Sequence, residues 1–409
     1  MVETSELTSE DRQAFQLDPS LSGHPDPYQI YAALLRESPV HWCEAPDLWV
    51  VLGYPESESL MRDPRCLRQD HLDKLIHRFG EDRIFRRQKA DLPYIDGEEH
   101  TRLRHHVVAA FRGIDMAALD RYCTQVVNML LDSVRPGEWF DLIKVLANPL
   151  PTLVTSELMG VPPELQGQVL DQVGHFVRAR GLIQTEETAQ DGDDAMNVYR
   201  HFFIPLLQKR RKYPRDDVIS RLLEDPEGHV SLSDEQLLLI VASNFYSASI
   251  YTVPLLISNT AYLLAHHPEV FNQLRLQPSL VDSAVEEFLR YDPPAQALNV
   301  GAIREPVEIA GEMIPGGASL TALVGAANRD PRVFDVPDAF VVDRHPNPHL
   351  SFAPGIHQCL GLHLARLEMR AFLRALIQRC HRLEVDDSCS TRLVADRFRG
   401  FAHLTVRML

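Results

Sequence analysis

Cys359 lies in Ser351-Phe-Ala-Pro-Gly-Ile-His-Gln-Cys-Leu-Gly-Leu-His-Leu-Ala-Arg366, a Gly/Pro-punctuated loop that runs into an amphipathic stretch. A sulfur at the start of a helix meets free backbone N–H groups and the positive end of the helix dipole, so its thiolate is favoured and can serve as a metal ligand. Two other spacings pair charges. His100 and Arg104 stand at i, i+4, where one helical face presents both to a pair of anionic oxygens. Glu287 and Arg290 are three apart and able to pair on a helix, a spacing that carries little weight alone because surface helices are full of it.

The order of Phe352, Gly355, His357, Cys359 and Gly361 in F-x-x-G-x-H-x-C-x-G resembles the haem loop of the cytochrome P-450 family. Glu287 and Arg290 precede that loop by about seventy residues, and Asn328 to Arg344 is similar to the family's meander. The resemblance extends to Asp26–Tyr31, Glu157–Pro162 and Asp216–Ser220, so it covers almost the whole chain. It implies haem b with Cys359 as the proximal iron ligand, and propionate contacts from His100, Arg104 and His357. It also implies a buried triad of Glu287, Arg290 and Arg344 that supports the fold without doing chemistry.

Two departures from the family pattern bear on function. Gly301 stands where the family usually has an arginine for a propionate, with Arg304 slightly later. In the long central helix the family typically reads A-G-x-[DE]-T, an acid and an alcohol that deliver protons. Aligned on Ala242, this chain offers Ser243, Asn244, Phe245, Tyr246 and Ser247 instead. Ala242, Ser243, Phe245, Tyr246 and Ser247 are therefore the expected pocket residues, without an acid–alcohol pair. Loss of a positioned proton donor costs about 10²- to 10⁴-fold in rate.

The resemblance implies oxidation of a small organic molecule in bacterial specialised metabolism, with electrons from NAD(P)H through ferredoxin reductase and ferredoxin. The altered helix favours ring formation, coupling, dehydrogenation or rearrangement over plain hydroxylation. The rivals are a peroxide-fed enzyme and a non-catalytic helper of a partner enzyme. Helpers of that kind lack the cysteine. Specificity is expected from Asp70–Pro93, Leu182–Asp194, the turn after Pro294 and the tail turn near Phe401.

These residues need a helical body to position them. Apolar spacings of three and four predict helices over 26–37, 98–112, 115–133, 140–159, 163–180, 193–212, 234–265, 280–291 and 360–380. Short strands are expected at Pro39–Cys43, Leu48–Leu52, Val307–Ile309, Ser319–Val324 and His403–Met408. No βαβ alternation appears, so the expected fold is mainly α with small β sheets, one domain over 1–409. Ser233 and Gln236 have capping-box spacing, and Pro254 predicts a bend. Thr185–Asp194 reads as a solvated acidic loop. Arg83, Arg86, Arg87 and Lys89 form a basic cluster flanked by acids, while Arg65, Arg68, Arg366 and Arg370 are expected on a basic face for ferredoxin.

Lys+Arg 41 against Asp+Glu 57 gives a net charge of -16, which disfavours nucleic acid as a partner. Six cysteines without a C-x-x-C pair fit a reducing compartment rather than a disulfide scaffold. The polar N-terminus does not read as a signal peptide, and no apolar run approaches the ~20 residues of a membrane span. A cytoplasmic monomer, not bound to membrane, is the resulting expectation.

Overall fold

The computed structural model describes residues 7–224 and 232–409. Its long helices include Gly97–Phe111, Met116–Leu131, Pro163–Arg178, Glu186–Lys212, Val281–Tyr291 and Leu362–Arg379. The helix Asp234–His266 runs through the centre, capped at Ser233 by the reciprocal bonds with Gln236 that the sequence predicts. It is long and apolar enough to cross a membrane, yet most of it is buried inside the molecule. Between Leu239 and Ser247 it winds as a π-helix, and it then continues as α-helix through Pro254. The irregularity therefore precedes the proline. Such π stretches are common at functional sites.

The sheets are small. Five strands are ordered Val40–Cys43, Leu48–Val51, Ser319–Ala322, Leu298–Ile303 and Cys66–Leu67. A three-stranded sheet joins Trp139–Asp141, Thr405–Met408 and Leu383–Val385. Strand Leu298–Ile303 escaped the sequence reading, as did the helices Tyr54–Arg62 and Arg68–Phe79. In place of one helix over 140–159 there are a strand, the π turn Ile143–Ala147 and the helix Pro149–Met159.

The acidic stretch expected to be a loop is the first part of the helix Glu186–Lys212. Thr185 caps it by accepting the Thr188 N–H, while Ala189 and Gly192 face inward. A Cβ at 192 would come within 2.4 Å of the Ala179 Cβ, so glycine permits this close helix approach. The acids are matched from elsewhere in the chain: Arg83 meets Glu186 and Asp193, and Arg178 meets Asp191. The basic cluster is correspondingly paired, because Arg86 meets Glu81, Arg87 meets Glu235 and Lys89 meets Asp73.

The expected triad forms at the centre of the fold. Arg290 Nε and Nη2 each lie 2.8 Å from a Glu287 carboxylate oxygen, and Arg344 Nε lies 3.2 Å from Oε2. Val341 N–H and Asn347 Nδ2 also donate to Glu287, and Arg290 donates onward to the carbonyls of Asn328, Pro337 and Ala339. Glu287 and Arg290 are fully buried. A buried pair of this kind is tolerable because nearly every donor and acceptor is used, and it pins the meander to the helix Val281–Tyr291.

Candidate active site

The cysteine loop closes on itself before its helix begins. Cys359 N–H donates to the Phe352 carbonyl at 2.9 Å, and Gly355, at φ 81°, lies where a Cβ would meet the Met61 carbonyl at 3.0 Å. Gly361 N–H donates to the Cys359 sulfur. Cys359 is exposed as a residue, yet desolvation pushes its thiol up against the opposing pull of Gly361 N–H, Arg104 and Arg366. A bound cation there would deprotonate it outright. Cys43, Cys66, Cys123 and Cys380 are buried, Cys389 is exposed, and none of these five forms a disulfide.

Beside the loop stands a group of potential cations. The His100 and His357 rings are 4.4 Å apart, and both His100 nitrogens are buried without partners. Burial, with the Arg104 and Arg68 charges, holds His100 down at about 4, and burial with Arg68 holds His357 at about 3 despite Asp96 nearby. Arg104 Nη2 donates to the Gln358 carbonyl at 2.6 Å. Arg68 was expected on the outer face, but it turns inward. Its Nη1 donates to the Pro93 carbonyl at 3.2 Å, while its Nε is buried and unpartnered.

Gly301 explains how Arg68 gets there. At φ 118° it sits so close to the neighbouring strand that a Cβ would lie 2.7 Å from the Leu67 carbonyl and 3.0 Å from the Arg68 nitrogen. The strand Cys66–Leu67 can therefore press onto Leu298–Ile303 and direct Arg68 among the histidines. Arg304, the substitute suggested by sequence, instead pairs with Asp70 at the surface. Four basic side chains, with both His100 nitrogens and Arg68 Nε lacking partners, suit a cofactor bearing two carboxylates. With a thiol beside them, the donor set fits haem: Cys359 for the iron, and His100, Arg104, His357 and Arg68 for the propionates.

The central helix divides its residues differently from the expectation. Tyr246 is fully buried, its hydroxyl 3.3 Å from Ser156 Oγ and its ring edge-on to Phe203 at 5.7 Å. Ser247 Oγ donates to the Ala242 carbonyl at 2.6 Å and bonds the Tyr199 hydroxyl at 2.8 Å. Ala242 is fully buried, and Phe245 packs on Phe111 at 4.6 Å. Tyr246 and Ser247 thus face the helices Pro149–Met159 and Glu186–Lys212. The accessible surface lies instead on Asn244, Ala248 and Thr252, at i, i+4 and i+8, with Ser249 and Tyr251 beside them.

That face moves the A-G-x-[DE]-T pattern six residues on. Ala248-Ser-Ile-Tyr-Thr252 matches it at the alanine and the threonine, whereas Ala242–Tyr246 matches at the alanine alone. The alcohol is therefore present, as Thr252, whose Oγ1 donates to the Ala248 carbonyl at 2.8 Å. The acid's place is held by Tyr251, packed edge-on against Phe398 at 5.1 Å, with its phenol pushed up to about 12 by burial. One turn before Ala248 a carboxylate does reach the helix, from another element. Asp91 accepts from Ser243 Oγ at 2.9 Å, Asn244 Nδ2 at 2.8 Å and Arg180 Nη1 at 2.7 Å.

The family description Cytochrome P450 matches residues 68–393. The chain belongs to the cytochrome P450 family. It is 34% identical over 408 residues to the 6-deoxyerythronolide B hydroxylase of Saccharopolyspora erythraea, covering 95% of this chain and 97% of that protein. It is 31% identical over 369 residues to the biotin biosynthesis cytochrome P450 of Bacillus subtilis, covering 88% and 91%. Among solved structures, CalO2 superimposes with a TM-score of 0.87 at 27% identity over 99% of both chains. CxnD, described as a P450 for C–S bond formation in chuangxinmycin biosynthesis, gives 0.84 at 27% identity over 100% and 98%. This P450 is accordingly a haem-thiolate oxidoreductase, with haem b as its cofactor.

Proposed function

We propose that this P450 oxidises a small molecule of bacterial specialised metabolism, by a route in which proton delivery to the reacting centre departs from the usual acid–alcohol pair. When bound, a thiolate-ligated haem supplies an iron whose electron-rich ligand favours O–O cleavage. The chain's own residues do the rest. Cys359 holds the iron, and His100, Arg104, His357 and Arg68 fix the propionates. The open face Asn244–Ala248–Thr252 borders the substrate. Electrons come from NAD(P)H through ferredoxin reductase and ferredoxin, and the setting is the cytoplasm.

The observation that carries the reading is the open face with Thr252 on it and Tyr251 in the acid's position. Thr252 spends its proton on the Ala248 carbonyl, so its oxygen is left to accept a hydrogen bond and hold a water or substrate hydroxyl in place. Tyr251 cannot replace an acid, because a phenol held at about 12 gives up its proton far less readily than a carboxylic acid. Protons therefore come from ordered water or from the substrate, which suits ring formation, coupling or dehydrogenation. Retention of Cys359 disfavours the helper role.

Thr252→Ala is expected to divert electrons to free peroxide, lowering product per NADH by roughly tenfold or more, and Thr252→Ser is expected to restore coupling. Tyr246→Phe should leave coupling unchanged, since its hydroxyl serves Ser156. Unchanged coupling in Thr252→Ala, or collapse in Tyr246→Phe, would return the site to the earlier turn of the helix.

A further inference from the structure

Arg397 lies in the tail turn at φ 58°, a left-handed conformation that an arginine keeps only where its surroundings impose it. Its N–H donates to Ser20 Oγ at 3.0 Å, and its carbonyl accepts the Gln296 N–H at 2.8 Å. The guanidinium carbon lies 4.9 Å from the centre of the Phe398 ring, and its Nε is buried with no hydrogen-bond partner. No ion pair joins it to the neighbouring carboxylate: Asp396 Oδ2 accepts the Ile183 N–H at 2.8 Å, and its Oδ1 has no hydrogen-bond partner.

The titratable groups around Arg397 are Tyr94, Asp396, Arg180, Tyr251 and Arg68. Of these, Tyr251 packs on Phe398, which brings the turn against the open face of the central helix beside Thr252. Arg180, between the rings of Tyr94 and Phe176, is already matched by Asp91. A partly buried guanidinium with no ion-pair partner among the described residues therefore stands against an aromatic wall of Tyr94, Tyr251 and Phe398. Enclosing an unpaired guanidinium is strongly unfavourable unless an anion meets it. Its planar fork fits a carboxylate, and with Arg180 already neutralised a single negative charge balances it.

We propose that the substrate carries a carboxylate, bound by the Arg397 guanidinium while the rest of the molecule lies along Tyr251 and Thr252. This deepens the oxidative reading above and rests on it. The reacting carbon is then set by its reach from the carboxyl group.

The test uses haem-loaded enzyme and matched probes: straight-chain acids of eight to sixteen carbons and phenylalkanoic acids, each beside its primary amide. Binding is measured by calorimetry and by the haem absorbance shift. At least one acid is expected to bind its wild-type site about 10- to 100-fold more tightly than its amide, the range of a charge-assisted bond. That preference is expected to vanish in Arg397→Gln, to return in part in Arg397→Lys, and to persist in Arg304→Gln, which alters an exposed cation.

No acid preferred over its amide in the wild type, or a preference that survives Arg397→Gln, overturns the proposal. So does Arg397→Gln that loses haem while its loaded fraction still prefers acids, for Arg397 then belongs to the cofactor cradle. A reduced carbon monoxide spectrum of each sample keeps the two readings apart. A missing thiolate band in the wild type overturns the haem-thiolate assignment, whereas the calorimetric preference judges Arg397 alone.

Discussion

Cys359 was legible because its chemistry restricts its neighbours in order: a turn that can approach closely at Gly355, an imidazole at His357 and an N–H donor at Gly361. Five specified positions in ten residues survive without knowledge of anything distant in sequence. The central helix gave no such protection. Ala242 and Ala248 are each followed by serine, and only the packing of Tyr246 and Ser247 against other helices leaves Ala248, rather than Ala242, on the open side of the helix. At this scale the sharpest expectation concerns the ligand. Cys359→Ala and Cys359→His should abolish the red-shifted Soret band of the reduced carbon monoxide complex, since thiolate alone among protein ligands donates enough charge to produce it. Serine at Cys43, Cys66, Cys123, Cys380 or Cys389 should leave the band in place, and a band persisting in either Cys359 variant would falsify the ligation.

Elements decide what single residues cannot. The proposed cradle for the propionates draws on the helix Gly97–Phe111, the cysteine loop and the start of the helix Arg68–Phe79. His100 and Arg104 were readable because four residues place them on one helical face. Arg68 was not, because it enters the cradle through pairing between strands more than two hundred residues apart, at a point where Gly301 removes a Cβ. The acidic run after Thr185 is helical for a related reason, since Arg83, which meets Glu186 and Asp193, comes from a segment about a hundred residues away. Arg68→Ala, His100→Ala and Arg104→Ala are each expected to weaken haem retention about tenfold or more, at roughly 1.5 to 3 kcal/mol per charge-assisted bond. Arg304→Ala should retain haem as the wild type does, because its partner is the surface Asp70. Transfer of haem to an excess of apomyoglobin measures the ranking, and equal rates for Arg68→Ala and Arg304→Ala would remove Arg68 from the cradle.

Across the whole molecule, charge is locally balanced to a degree that net charge conceals. The face expected to attract ferredoxin loses Arg68 to the interior, and Arg65, Arg366 and Arg370 are paired with Asp63, Glu286 and Asp282. One deeply buried acid has no such balance. Glu368, on the helix that follows Cys359, is completely buried, and neither carboxylate oxygen has a hydrogen-bond partner. Burial pushes it up to about 8, so the folded protein holds its proton at neutral pH while the unfolded chain, near 4.5, does not. Between those values the folded state binds one proton more, and stability must fall as pH rises. Glu368→Gln keeps the shape and removes the titration. The wild type should therefore lose stability relative to that variant by about 1 kcal/mol per pH unit between pH 5 and 8, with the difference levelling above pH 8. Chemical denaturation of both proteins at matched pH reads this difference directly, because all other titrating groups are common to the pair. Parallel pH profiles would mean that Glu368 ionises in the folded protein with a compensating partner, and that this part of the core is more polar than its packing shows.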